Sequence, residues 1–325
     1  MSNVDELQPS GARPPGPARP GQALVFEPRE VPLGGPRAMT VRRTLPSRDR
    51  SLIGAWCFSD HYGPDDVRTT GGMDVPPHPH TGLQTVSWLF TGLIEHRDST
   101  GVHAIVRPGE LNLMTAGRGV SHTEVSTDDT VVLHGLQLWI ALPRGARGIP
   151  PGFDHYAPPL VEFEGGQARV FLGSLLGSAS PVPTHTPLLG AELLLDAGAS
   201  ARIAVDPAFE HGVLLDTEAA VVQGADLGWS ELVYLGPGAE SLAIANPTDR
   251  TARLMLLGGV PFGEEIVMWW NFIGESHEEI AAFREQWQGH DARFGSVDGY
   301  TPRSGGVDWL PAPALPTTRL ISRRR

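Results

Sequence analysis

Punctuation constrains this chain more than any other feature. From Ala23 onward the apolar runs are short, and turn signals break them at Leu33-Gly34-Gly35-Pro36, Tyr62-Gly63-Pro64-Asp65, Gly71-Gly72, Arg107-Pro108-Gly109 and Ala116-Gly117-Arg118-Gly119. Proline lacks the N–H that helices and ladders need, and glycine supplies the positive φ of tight turns, so long helices are excluded over most of the sequence. Short apolar runs separated by turns every 8–12 residues or so indicate a β-sandwich or barrel. The 39 Gly and 30 Pro among 325 residues fit such a plan; together they are roughly a fifth of the chain, against an average near 12%.

Strands are expected at 85–90, 104–106, 111–114 and 131–142, the last alternating Leu136, Leu138 and Ile140 with Gln137 and Trp139. The second half repeats the style at 191–195, 201–205, 213–215, 219–222, 232–235, 241–246 and 253–257, and its Leu235-Gly236-Pro237-Gly238 echoes Arg107-Pro108-Gly109. Two all-β domains of one kind in tandem account for this length. Residues 1–24, rich in proline and poor in aromatic side chains, read as a disordered arm. A first domain at 25–148 and a second at 149–265 follow, the second opening in a proline-rich stretch; then come a strand-and-helix segment at 266–295 and a tail with proline and arginine at 296–325. The C-terminal helix is expected from Ser276, which stands three residues before Glu279 as in a capping box, to Gly289, with Ile280, Phe283 and Trp287 on its docking stripe.

Every one of the 25 basic residues is arginine, which removes lysine nucleophiles and Schiff bases from consideration. A net charge of −12 disfavours direct nucleic-acid binding, and the closing Arg323-Arg324-Arg325 reads as a solvated tail. The single cysteine, Cys57, sits in an apolar setting and reads as inert packing. Neither a secretory signal pattern nor an apolar run long enough to span a membrane is seen, so a soluble, cytoplasmic protein is expected.

The densest polar constellation is Pro77-His78-Pro79-His80 followed by Ser121-His122-Thr123-Glu124. On a strand, side chains two apart share a face, so His78 pairs with His80 and His122 with Glu124. One H-x-H among twelve histidines proves little, but two such pairs on neighbouring strands would converge. Three imidazoles and a carboxylate suit iron, manganese, nickel, copper or zinc with a coordination position left open. Of the other histidines, His96, His103 and His134 lie near first-domain strands and are candidates for the pocket or its surroundings. In the second domain, beyond His155 in the connection, only His185 and His211 occur and no H-x-H pair, so a metal of the same design is not expected there.

The segments His78-Pro79-His80-Thr81-Gly82-Leu83-Gln84-Thr85-Val86-Ser87-Trp88-Leu89, His96-Arg97-Asp98, Arg107-Pro108-Gly109-Glu110 through Ser121-His122-Thr123-Glu124, and Val267-Met268-Trp269-Trp270-Asn271-Phe272 resemble the pirin family of the cupin superfamily over about residues 25–295. The resemblance implies a bicupin of two antiparallel jelly-roll barrels with one divalent metal, Fe(II) foremost, in the first. It places the ligands on His78, His80, His122 and Glu124, the same four reached by spacing. It also implies quercetin 2,3-dioxygenase-like activity on a small aromatic or enolic substrate with O₂ and with Glu124 accepting the substrate's proton; Trp88, Leu113 and Met114 are candidates for the apolar barrel wall and read as plain core sooner than as substrate contacts. The alternative it carries is a non-catalytic, redox-responsive regulator acting through a protein partner. The chain departs from many family members in having Thr81 and Gln84 where a basic residue and a glutamate are common, which affects the surroundings of the metal more than its ligands. An alternative reading of Gln84 is an inward amide serving backbone groups.

Overall fold

The computed structural model describes residues 23–33, 39–302 and 306–323. The expected arm as far as residue 22, the turn at 34–36 and Arg324-Arg325 lie outside the described residues.

Two β-barrels share one plan, each pairing a seven-stranded antiparallel sheet with a four-stranded one. In the first barrel the larger sheet runs, in spatial order, Gly152–Tyr156, Leu111–Thr115, Leu83–Thr91, Val132–Ala141, Trp56–Asp66, Thr40–Leu45 and Arg29–Pro32. The smaller runs Asp74–His80, Val120–Ser126, Ile94–Asp98 and His103–Val106. The second barrel repeats this with Ala23–Phe26, Leu232–Leu235, Glu210–Leu215, Ala252–Gly259, Leu188–Leu195, Gly166–Leu172 and Leu160–Phe163 over Ser200–Ala204, Ser241–Ala245, Ala219–Val222 and Ala225–Gly228. The all-β, two-cupin architecture with a C-terminal helix is thus the one observed.

Sequence neighbours are exchanged between the barrels. Ala23–Phe26 joins the second barrel beside Leu232–Leu235, although it precedes the first, and Gly152–Tyr156 joins the first beside Leu111–Thr115. Each covers what would otherwise be an open sheet edge. The turn expected at Tyr62-Gly63-Pro64-Asp65 is instead the interior of the 11-residue strand Trp56–Asp66. Its pairing with Val132–Ala141 slips between Leu133 and Gly135, so a bulge absorbs the Gly-Pro pair. Gly63 is required there: φ is 77° and a Cβ would lie 2.1 Å from the Leu133 carbonyl oxygen.

Between the barrels runs one continuous apolar core. Trp56, Val86, Trp88, Leu136, Leu138 and Ile140 from the first meet Phe171, Leu214, Leu232, Tyr234, Met255 and Leu257 from the second. Trp88 stacks on Phe171 at 4.6 Å, and the Trp56 indole N–H reaches the Leu189 and Gly258 carbonyls at 3.1 and 3.2 Å. At its rim, Glu210 accepts from Gly54 N–H at 2.8 Å and pairs with Arg50 at 3.2 Å.

The C-terminal segment returns to the first barrel. Helix His277–Gln288 is capped by the Ser276 hydroxyl, which accepts from Glu279 N–H at 3.2 Å, while the Glu279 carboxylate reaches Glu275 N–H at 2.6 Å, one residue beyond the capping-box position. Ile280, Phe283 and Trp287 are buried against Trp270, Phe272 and Phe294. Hydrogen bonds then fasten the segment to the first barrel, among them Ile273 N–H to Thr81, Leu310 N–H to Pro77, and the Ser121 hydroxyl to Phe294. Arg323 is no solvated tail residue. Its backbone exchanges hydrogen bonds of 2.8 and 3.1 Å with Ile266, and burial lowers its guanidinium pKa. No helix among the described residues is long and apolar enough to cross a membrane.

Replacing Trp56 by Phe keeps ring bulk and leaves the Leu189 and Gly258 carbonyls without their indole donor. A loss of about 1–3 kcal/mol in denaturant unfolding is expected.

Candidate metal centre

The site rests on two adjacent strands of the smaller sheet. Asp74–His80 and Val120–Ser126 pair with His122 opposite His78 and Val120 opposite His80. Between His122 and Glu124 the register shifts, and Pro76 and Pro77, which have no ladder N–H to give, provide the extra residue of the bulge. The spacing argument holds for the imidazoles: His78, His80 and His122 bring donor atoms within 4.8 Å of one another, with ring centroids 4.2 to 5.1 Å apart. Glu124 stands beside this group with its carboxylate turned to the Ser87 hydroxyl at 3.1 Å. That hydroxyl also lies 2.9 Å from Gln137 Oε1, and its one proton serves one oxygen at a time.

All four side chains are buried, and burial sets their protonation. It drives His78 down to about 4 and holds His80 and His122 well below the ordinary imidazole value, so all three rings are neutral near pH 7 and carry a lone pair. Burial raises Glu124, against the opposing influence of His96 and Ser87. His78 Nδ1 donates to the Pro76 carbonyl at 2.9 Å, leaving Nε2 as its free lone pair. His80 Nδ1 and His122 Nε2 are buried with no hydrogen-bond partner. Unpaired buried nitrogens converging in this way fit a cation better than any arrangement of protons.

Two groups support the imidazoles. His96 lies in the adjacent strand with Nδ1 3.4 Å from His122 Nδ1 and Nε2 3.2 Å from Asp98. Asp98 is fixed in turn by the Thr100 N–H and hydroxyl at 2.8 and 2.6 Å. This places His96 next to the site, as anticipated. His103 is exposed beside Glu95, His134 lies at the seam between the barrels, His155 meets Asn112 at 3.1 Å, and His185 is exposed.

His78 and His80 border a cavity of about 30 Å³ bounded also by Glu124, Gln137, Trp139, Phe58, Val75, Asn271, Leu33 and Leu310. Trp88, Leu113 and Met114 are not in its wall. On Leu83–Thr91 the face carrying Val86 and Trp88 turns to the second barrel while Ser87 turns to Glu124, and Met114 packs with Ala116, Val120 and Phe153. Gln84 donates to the Thr115 hydroxyl at 2.9 Å rather than to backbone, and Thr81 meets the C-terminal hairpin; neither bounds the cavity. Asn271, Leu33 and Leu310 escaped sequence reasoning because they come from distant segments. Asn271 alone carried a hint, as an amide amid the aromatic run Trp269-Trp270-Asn271-Phe272. Cys57 is buried, with its thiol pushed up by desolvation.

In the second barrel, the strands equivalent to the two histidine strands are Ser200–Ala204 and Ser241–Ala245. Their inward residues, Ile203, Leu242 and Ile244, belong to an apolar core. His211 is buried in that barrel with neither ring nitrogen bonded, and burial lowers its pKa to about 4.

Comparison with known proteins gives a consistent picture. The Pirin family profile matches residues 38–140, and the Pirin C-terminal cupin domain profile matches residues 190–295. A Pseudomonas aeruginosa protein provisionally named quercetin 2,3-dioxygenase is 44% identical over 290 residues, 89% of this chain and 89% of that one. A pirin-like protein of Caulobacter vibrioides is 32% identical over 284 residues, 85% of this chain and 96% of that one. Among solved structures, a quercetin 2,3-dioxygenase from Acinetobacter baumannii superposes with a TM-score of 0.85 at 40% identity, covering 91% of this chain and 96% of that one.

The buried, neutral His211 must take up a proton on unfolding in mild acid. Its contribution to stability is complete above the unfolded value near 6.5 and is lost as pH falls from there toward about 4. Unfolding midpoints of the wild type and His211→Leu, compared between pH 7 and 5, should show the smaller decline in the variant.

Proposed function

The chain belongs to the pirin family, and on that footing we propose that its first barrel holds one divalent transition metal, Fe(II) in its working form, on His78, His80, His122 and Glu124. The reaction proposed for this centre is the dioxygenation of a flavonol-like or other enolic substrate. The observation that supports the metal is the buried imidazole cluster of His78, His80 and His122, whose donor atoms lie within 4.8 Å of one another and in which His80 Nδ1 and His122 Nε2 have no hydrogen-bond partner. The substrate class is carried over from the Pseudomonas and Acinetobacter relatives. A cytoplasmic setting belongs to the same reading.

When bound, the metal supplies Lewis acidity toward the substrate's enol oxygen and a redox-active centre toward O₂. Glu124 takes the enol proton on its carboxylate, and the burial that raises its pKa makes it the stronger base. The Ser87 hydroxyl, within reach of both Glu124 and Gln137, steadies the carboxylate before and after that transfer. His96, held by Asp98, fixes the His122 ring from behind. Phe58, Val75 and Trp139 keep bulk water from the reacting face.

One observation favours the alternative of a metal-loaded regulatory protein. A cavity of about 30 Å³ admits water and no flavonol, whereas ligand pockets for molecules of that size measure about 300 Å³ or more. Catalysis on a substrate of that size therefore requires the cavity to widen.

Oxygen uptake by Fe(II)-loaded protein with quercetin, and with simpler enols, tests the proposal. The wild type should consume O₂, His80→Ala should lose one metal equivalent and the activity together, and Glu124→Gln should lower turnover by about 10²–10⁴-fold. Metal retained with no O₂ uptake on any enol would establish the regulatory alternative.

A further inference from the structure

A second group of potential ligands lies outside that cavity, at the seam between the barrels. His61 comes from Trp56–Asp66 and His134 from Val132–Ala141, both in the first barrel, while Asp216 directly follows Glu210–Leu215 in the second. His61 Nε2 and His134 Nε2 each lie 2.7 Å from Asp216 Oδ1, and 3.1 Å from one another. His61 and Asp216 are buried, and the His134 side chain retains 12% exposure, which leaves one side open to solvent. The function proposed above uses none of the three.

We propose that His61, His134 and Asp216 form a second metal site, bridging the two barrels, for a divalent cation of the zinc class that accepts imidazole and carboxylate ligands. Solvent completes the coordination from the His134 side.

Three features carry this. Ligand atoms about a tetrahedral zinc, with bonds of about 2.0–2.1 Å, stand about 3.3 Å apart. To cap such an ion the two imidazole–carboxylate separations of 2.7 Å need widen by about 0.6 Å and the 3.1 Å imidazole pair by about 0.2 Å. Second, both Nε2 atoms face one carboxylate oxygen. Without a cation each must carry a hydrogen, crowding two like-charged hydrogens against a single acceptor with the nitrogens 3.1 Å apart. With a cation, both nitrogens offer lone pairs and the crowding disappears. Third, the outer groups hold the ligands in place. The Ser230 hydroxyl stands 2.5 Å from His61 Nδ1, and Arg253 holds the other Asp216 oxygen at 2.9 Å, so that Oδ1 alone faces the imidazoles.

Two guanidiniums flank the group, and Arg42 opposes positive charge at His61 while Asp216 and Glu192 favour it. Arg253 is shared with the buried Glu192 at 3.0 Å. Arg42 is turned to the Ser230 hydroxyl at 3.0 Å and lies 3.8 Å from the Trp229 ring centroid. The competing description is a metal-free hydrogen-bonded latch, in which Ser230 donates to His61 Nδ1 and both imidazoles donate to Asp216.

Metal titration of the full, untagged, metal-stripped chain separates the two. With Zn(II) or Co(II) the wild type should take up two equivalents. His80→Ala should keep one, and His134→Ala or the shape-preserving Asp216→Asn should also keep one. The visible absorption of four-coordinate Co(II) should survive in His80→Ala and vanish when His134→Ala is added to it. Zinc should raise the melting temperature of His80→Ala and leave that double variant unchanged. The proposal is overturned if folded His80→Ala binds no metal, or if His134→Ala and Asp216→Asn take up as much as the wild type; the latch then stands. Loss of the first equivalent alone tests the barrel centre, so the two readings fail separately.

Discussion

Val132–Ala141 is buried on both faces, and the rest of the molecule is arranged around that constraint. Leu136, Leu138 and Ile140 press into the core shared with the second barrel, while Gln137 and Trp139 look into the first barrel's cavity. A strand buried on one face alone would have left the apolar seam exposed to solvent. The second barrel covers it, and Trp56, Trp88 and Phe171 interlock across the junction. By serving as the wall behind the cavity sheet, the second barrel has a task that needs no metal, in keeping with the apolar Ile203, Leu242 and Ile244 where the first barrel carries its histidines.

Burial also makes the histidines suitable as ligands. Imidazoles in water would be partly protonated near neutrality; enclosed by two sheets and the returning C-terminal segment, they stay neutral and keep their lone pairs. The segment does so by backbone hydrogen bonds at Thr81 and Pro77, immediately beside His80 and His78, so closure of the cavity and orientation of its ligands are mechanically linked.

Much of this was legible beforehand. Period-2 alternation and turn residues placed eleven of the 26 strands to within a few positions, the Ser276 and Glu279 pair marked the helix start, and i, i+2 spacing drew three histidines together. The misses share a cause. The Gly63-Pro64 pair looked like a turn because the bulge that admits it exists only in register with a strand about seventy residues away. The cavity-facing side of Leu83–Thr91 was not legible because alternation marks two faces without saying which is inside. Arg323 looked solvated because its partner, Ile266, is nearly sixty residues away.

The sequence by itself determined the class of the fold and the ligand types, since turn chemistry and strand periodicity are local and act through neighbouring residues. Tertiary structure decided which face of each strand bounds the cavity, that Asn271 and Leu310 close it, and that His61 and His134 meet Asp216 across the seam. Those outcomes depend on how two barrels and a returning tail share buried surface, and burial is settled only when segments far apart in the chain come into contact.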